Sequence, residues 1–252
     1  MAGPSIGGKA EGLRLLVEAG EQVPPYVVLE PGADVPAAVA SLGPGPYAVR
    51  SSASDEDGSG SAQAGRYESY LNVAVADVAA RVAEVRRSYG NAEGRSGAVI
   101  VQPMIESDVS GVAFSVHPAG ILDQVVASAG AGAGAVVAGP EPARTWVTST
   151  PDGRRYTYAT SPDVPELLTP AQVDEVVAAA ARVAQQRGAP IDIEWAYADG
   201  RLWLLQARPI TTLAAAPRST LDNANLVESY PGLVSPLTAS FVPTAYEGVF
   251  RS

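Results

Sequence analysis

The residue types best suited to chemistry cluster in two runs near position 200. Ile191-Asp-Ile-Glu-Trp-Ala196 and Leu202-Trp-Leu-Leu-Gln206 flank Ala198-Asp-Gly-Arg201, a strong signal for a β-hairpin. Side chains alternate faces along a strand, so Asp192 and Glu194 share one face and Ile191, Ile193 and Trp195 the other. On the partner strand Leu202, Leu204 and Gln206 are expected to share a face. Gln206 and Arg208 continue on one face if the strand runs to Pro209. Glu194 and Gln206 can then lie near each other across the ribbon. A carboxylate beside an amide oxygen suits a hard cation such as Mg²⁺, which takes oxygen ligands and keeps some waters. Arg208 suits phosphate oxygens, because its fork of donors matches them, and Asp192 is a further acid one pleat away. The same pattern also fits an ordinary amphipathic hairpin with a polar outer face.

A second polar cluster lies upstream. Arg50 ends the apolar run Tyr47-Ala-Val, and Ser51, Ser52 and the glycines of the stretch to Gly65 follow. An arginine at a strand end beside hydroxyls and backbone amides can cradle phosphates. So can Lys9, which follows Gly7-Gly8 at a helix start and is the only lysine in the chain. Gly-Gly-Lys here is not the Walker pattern, because the upstream glycine and the following Ser or Thr are missing.

These residues need elements to hold them. Residues 9–19 have leucines at helical spacing, with Gly20 as the stop. Strands are expected at 26–29, 47–50, 67–73, 98–104, 111–116 and 124–127, and a hairpin over 144–160 turning at Asp152-Gly153. A turn of helix fits 35–41, and a helix fits 77–89 with Asp77 as its cap. The clearest helix is 170–187. Thr169 and Gln172 form a capping box, Pro170 fits the first helical position, Leu168 and Val173 can staple it, and Gly188 ends it. Strands and helices mix without strict alternation, which makes the fold class α+β.

Composition removes several kinds of chemistry. With no cysteine among 252 residues there is no disulfide, thiolate nucleophile or cysteine-ligated zinc, and one histidine, His117, rules out a multi-histidine metal site. A net charge of −10 disfavours nucleic acid and anionic membranes as partners. It also opposes a phosphate-bearing ligand at long range, so a phosphate site needs local positive charge. The first residues lack the apolar run of a secretion signal, and the expected location is the cytoplasm.

Taken in order, the segments resemble the N-terminal nucleotide-binding region of the pyruvate phosphate dikinase, phosphoenolpyruvate synthase and rifampicin phosphotransferase family. The matching pieces are Ile6-Gly-Gly-Lys9, Val23-Pro-Pro25, Ala48-Val-Arg50-Ser-Ser-Ala53 with Asp55-Glu-Asp57, and Ala64-Gly65 ahead of Tyr70-Leu-Asn72. Then come Val99-Ile-Val-Gln102, Gly111-Val-Ala-Phe114 to Pro118, Asp192-Ile-Glu-Trp195 and Leu204-Leu-Gln206-Ala-Arg208-Pro-Ile210. Asn223 to Thr238 is similar to the segment leading out of that region.

The resemblance implies a two-lobed ATP-grasp fold with mixed or antiparallel sheets. The segments at 29–47 and 85–98 are shorter than usual, so the first lobe is trimmed. Residues 1–97 would form that lobe, 98–213 the second lobe with the hinge strand and the metal-binding hairpin, and 214–252 a linker and tail. The implied cofactors are ATP and Mg²⁺. Lys9, Arg50 and Ser51 would hold phosphates; Gln102, Pro103 and Met104 would face adenine; Glu194 and Gln206 would bind the metal; Arg208 would steady the transferring phosphoryl group. Lys9, Arg50 and Arg208 are the implied catalytic residues. In the family this region splits ATP to AMP and phosphate and phosphorylates a histidine on a swivelling domain. No such histidine motif occurs here, and His117 stands where the family varies. A phosphohistidine-domain partner or further C-terminal domains are therefore implied. Where the family has Gly-Leu-Gly-Glu, this chain has Gly130-Ala-Gly-Ala133, without the carboxylate. Two other functions fit the same residues: an ATP-grasp kinase or ligase acting directly on a small acceptor, and a nucleotide-binding or interaction module that no longer does chemistry.

Overall fold

A computed structural model describes residues 6–53, 68–89, 97–118, 120–121, 124–131, 143–159 and 163–210, all within one compact unit, Met1–Ala214. The acidic run at 55–57, Gly132, Ala133 and the linker and tail beyond 213 lie outside the described residues.

The chain opens with α1 (Gly8–Glu18), then β1 (Val27–Leu29), α2 (Val35–Ala40), β2 (Tyr47–Ala53) and β3 (Ser69–Val73). A turn of 3-10 helix leads into α3 (Val78–Ser88), and β4 (Gly97–Pro103) follows. The rest comprises β5 (Val109–Phe114), β6 (Gln124–Ala131), β7 (Arg144–Ser149), β8 (Arg155–Ala159), α4 (Pro170–Arg187), β9 (Ile191–Ala198) and β10 (Arg201–Pro209). They make a four-stranded sheet in the order β1-β4-β2-β3 and a six-stranded sheet in the order β10-β9-β5-β6-β7-β8. Every strand pair in both sheets is antiparallel.

Each sheet buries one face under helices. Val78, Val82 and Val85 of α3 pack on Val49, Val99 and Val101 of the smaller sheet, together with Leu29 and Tyr47. The larger sheet is covered by α1 and α4. Leu13 and Leu16 from α1 join Val173, Val176, Ala180 and Val183 from α4 over Ile191, Ile193, Trp195 and Leu204. The Arg182 guanidinium forks onto the buried Glu21 carboxylate at 2.7 and 3.1 Å, fixing the end of α1 to α4.

Two features differ from the lobe boundaries expected at 97/98. The hinge strand, assigned with the second lobe, is β4, and it pairs with β1 and β2 of the smaller sheet. Helix α1, assigned with the first lobe, packs into the core of the larger sheet. Alternation explains β4: Val99 and Val101 face one core while Ile100 faces the other, so both faces are buried and the strand reads as an unbroken apolar run. For α1 the reason is Gly12. A Cβ there would lie 2.0 Å from the Ala207 carbonyl oxygen, so glycine lets the helix backbone sit directly on β10.

The capping box of α4 forms as read, with Thr169 Oγ1 accepting from the Gln172 N–H and Gln172 Oε1 accepting from the Thr169 N–H. Asp77 does stand at the start of α3 but makes no side-chain cap bond; the 3-10 turn before it leads the chain into the helix instead.

Candidate functional site

The hairpin β9/β10 is set by its turn. Asp199 and Gly200 have φ of 52° and 69°, the left-handed pair of a tight two-residue loop. From Ala198↔Arg201 the register runs to Trp195↔Leu204. Continued without interruption it would place Glu194 opposite Leu205 and Asp192 opposite Ala207. A β-bulge at Leu205 shifts it by one. Glu194 now faces Gln206 and Asp192 faces Arg208. The bulge also corrects the expectation that Leu204 and Gln206 share a face. Leu202 and Leu204 point into the core with Trp195, whereas Gln206 and Arg208 leave on the opposite face, and Ala207 takes the core position beside Ile193.

On that polar face the two sheets meet. Arg50 of β2 donates through Nη2 to Gln206 Oε1 at 2.7 Å and to Glu194 Oε2 at 3.2 Å. Both charged side chains are largely withdrawn from water, at 20% and 15% exposed. A carboxylate oxygen and an amide oxygen thus converge on one positive charge. Asp192 accepts from Arg208 Nε with both oxygens, at 2.9 and 2.7 Å, which orients the guanidinium. Lys9 Nζ lies 3.4 Å from Ser51 Oγ, at the start of α1. The sequence-derived residues Lys9, Arg50, Ser51, Glu194, Gln206, Asp192 and Arg208 therefore stand on four neighbouring elements.

Beside this cluster is a cavity of about 160 Å³. Its lining includes Arg50 and Glu194, and Gln102, Pro103 and Met104 at the end of β4. Gln102 is 4% exposed and its amide nitrogen donates to the Pro24 carbonyl at 3.4 Å, while the Met104 N–H donates to the Pro46 carbonyl at 2.9 Å. Ala48, Leu71, Ile105 and Leu205 supply apolar wall. His117 lies away from it, in a turn closed by its N–H donating to the Ile121 carbonyl at 3.1 Å and its carbonyl accepting from Gly120 at 2.8 Å.

Several participants were not read from sequence. Ser107, Ser110 and Gly111 line the cavity. The Ser107 hydroxyl is buried there with no hydrogen-bond partner in the described structure. Gly111 carried a signal, since a lone glycine within a strand marks close backbone approach. Its missing Cβ would lie 1.9 Å from the Ser128 carbonyl and 2.7 Å from the Trp195 ring. Ser52, expected to offer its hydroxyl to phosphate, instead spends it on α1: Oγ accepts from the Ala10 N–H at 3.0 Å and donates to the Ile6 carbonyl at 2.8 Å.

The oxygen donors fit a magnesium ion. Among the described residues no group of three or more His, Cys, Asp or Glu side chains gathers into a metal cage. One carboxylate and one amide oxygen, completed by water and phosphate, is the sparse protein contribution that Mg²⁺ takes in nucleotide sites. The Arg50 guanidinium occupies the position of a cation between those two oxygens.

Comparison with known proteins gives the family and the fold. The chain is 30% identical to a prodigiosin synthesizing transferase, PigC, of Serratia marcescens, over 94% of this chain and 37% of that protein. It is 31% identical to an uncharacterized phosphotransferase, YvkC, of Bacillus subtilis, over 79% of this chain and 30% of that one. With the phosphoenolpyruvate synthase of Pyrococcus furiosus it shares 31% identity over 77% of this chain and 29% of that one. The chain thus spans about a third of the length of these relatives. Among solved structures, the biotin carboxylase domain of Hydrogenobacter thermophilus 2-oxoglutarate carboxylase superposes with a TM-score of 0.51 at 15% identity, over 81% of this chain and 40% of that one. The D-alanine-D-alanine ligase of Coxiella burnetii gives 0.50 at 13%, over 84% and 49%. These likenesses give the fold, ATP-grasp. Residues 33–225 match the family described as the pyruvate phosphate dikinase AMP/ATP-binding domain, and the chain belongs to that family.

Proposed function

We propose that the chain binds Mg-ATP in the crevice between its two sheets and acts as the ATP-using module of a dikinase-type phosphotransferase. ATP, water and a histidine on a swivelling domain or partner chain would become AMP, phosphate and phosphohistidine. The observation that carries this is the meeting of Arg50 from one sheet with Glu194 and Gln206 from the other, beside Lys9 and the cavity.

Magnesium would supply positive charge against the charge developing on the phosphates. Glu194 and Gln206 would hold it. Arg50 would exchange those two oxygens for phosphate, which its fork of donors matches equally well. Lys9 adds a point charge, and Ser51 Oγ stands within its reach. Arg208, aimed by Asp192, would steady the transferring group. Gln102, Pro103 and Met104 would present the adenine edge. Phosphoryl transfer is largely positioning and charge neutralisation, and three cations supply that locally in a chain of net charge −10. The histidine and acceptor domains would belong to the two thirds of the relatives that this chain does not span.

The test is thermal unfolding with and without Mg-ATP, on the native chain and on Glu194→Ala. Ligand at about 100 times its dissociation constant adds roughly 2.7 kcal/mol. A magnesium-dependent rise that shrinks in the variant supports the site. No rise in the native chain overturns it. Nucleotide products from the chain mixed with a phosphohistidine domain then decide the reaction: AMP with phosphate supports the histidine relay, and ADP alone refutes it in favour of direct transfer to a small acceptor.

A further inference from the structure

We infer that Ser52 is a positioning residue that fixes the first turn of α1 and so places Lys9; the functional half of this rests on the proposed nucleotide site. A helix leaves its first N–H groups without intrahelical partners, and a Ser, Thr, Asp or Asn at the cap usually supplies an oxygen. The cap of α1 is Gly7, with φ of 82° and no side chain to do this. The oxygen comes from the other sheet. Ser52 Oγ, 42 residues away in sequence, accepts from the Ala10 N–H at 3.0 Å. The same hydroxyl donates to the Ile6 carbonyl at 2.8 Å, so it ties the helix and the chain entering it.

Ser52 is itself held. It is fully buried, and its N–H donates to the Tyr89 hydroxyl at 3.0 Å, which donates to the Ala98 carbonyl at 2.6 Å. Gly7 lies so close that a Cβ would fall 2.2 Å from the Ser52 carbonyl oxygen. The contact therefore needs both glycine's positive φ and its lack of a side chain. Three successive residues of β2 divide the work: Arg50 reaches Glu194 and Gln206, Ser51 meets the tip of Lys9, and Ser52 grips the helix that carries Lys9. Farther along the same helix, Gly12 seats it on Ala207, next to Gln206. Helix α1 is thereby clamped between the strand that bears Arg50 and the strand that bears Gln206.

The experiment has two readouts on Ser52→Ala. Hydrogen exchange of the ligand-free chain should show the first-turn amides of α1 exchanging about five- to tenfold faster, the size of a lost helix cap, with α4 unchanged. Unchanged exchange in α1 overturns the inference whether or not ATP binds. Calorimetry with Mg-ATP and with adenosine should then show weaker ATP binding and unaltered adenosine binding in Ser52→Ala. In a Lys9→Met background the same substitution should add no further loss of ATP affinity. An equal loss in both backgrounds would mean that Ser52 does not act through Lys9. If the native chain binds neither ligand, the nucleotide reading fails, and exchange alone decides whether Ser52 fixes α1.

Discussion

Replacing Gly12 by alanine should destabilise the protein, although alanine is the better helix former. The new Cβ would lie 2.0 Å from the Ala207 carbonyl oxygen, 3.1 Å from its carbon and 3.4 Å from its nitrogen. All three are backbone atoms of a strand paired along its length with β9, so none can rotate away. Relief to 3.0 Å requires α1 to retreat by about 1 Å, which loosens Ala10, Leu13 and Leu16 in the core. Overpacking of this sort costs about 1–3 kcal/mol, and a backbone obstacle places it in the upper half of that range. Helix propensity returns about 1 kcal/mol. The net loss is about 1–2 kcal/mol, which lowers the melting temperature by about 2–8 °C for a domain of this size. Urea denaturation measures it directly as a lower midpoint at unchanged slope. A midpoint at or above that of the native chain would refute the reasoning, since it would mean that α1 does not rest on β10 at the described distance.

Deleting Leu205 removes the bulge but not the pairing: Gln206 then follows Leu204 directly and still falls opposite Glu194, with Arg208 opposite Asp192, so both keep their faces. The magnesium-dependent thermal shift should therefore survive in a variant that circular dichroism shows to be folded, and its loss would contradict this reading of the register. The Tyr197 phenol is raised well above its ordinary value of 10.0, by burial first and then by donating to the Glu175 carboxylate. A folded-state value above the unfolded one contributes stability that is complete below about pH 10 and is lost as pH rises beyond it. Tyr197→Phe should therefore lower the urea midpoint at pH 8, by about 1 kcal/mol in stability for the lost hydrogen bond. The gap to the native chain should narrow at alkaline pH; a gap constant between about pH 8 and 11 would contradict the assignment.

Much of the site was legible because its parts are local. The Asp199-Gly200 turn announces a hairpin, and Ile191, Ile193 and Trp195 alternate with Asp192 and Glu194 at the period of a strand. Thr169, Pro170, Gln172 and Gly188 delimit α4 by caps that each act within one turn. The pairing of Glu194 with Gln206 was anticipated, yet the turn alone predicts Leu205 as the partner. Leu204-Leu205 carries no mark of a bulge, because an extra residue in a strand is decided by which side chains the two faces accept. The docking of α1 was illegible for a related reason. Gly7, Gly12 and Ser52 are ordinary in their own segments, and their meaning lies in atoms of strands far away in the chain.

The burial of β4 on both faces bears on how the protein comes apart. Val99 and Val101 are common property with one core and Ile100 with the other, so neither core can dissolve without stripping a side of the strand that the second core needs. The two lobes are thermodynamically one body, and a melt should pass through a single transition, with the slowest-exchanging amides at 97–103. A wall shared in this way lets two lobes present a cleft between them without surrendering the cooperativity of one fold.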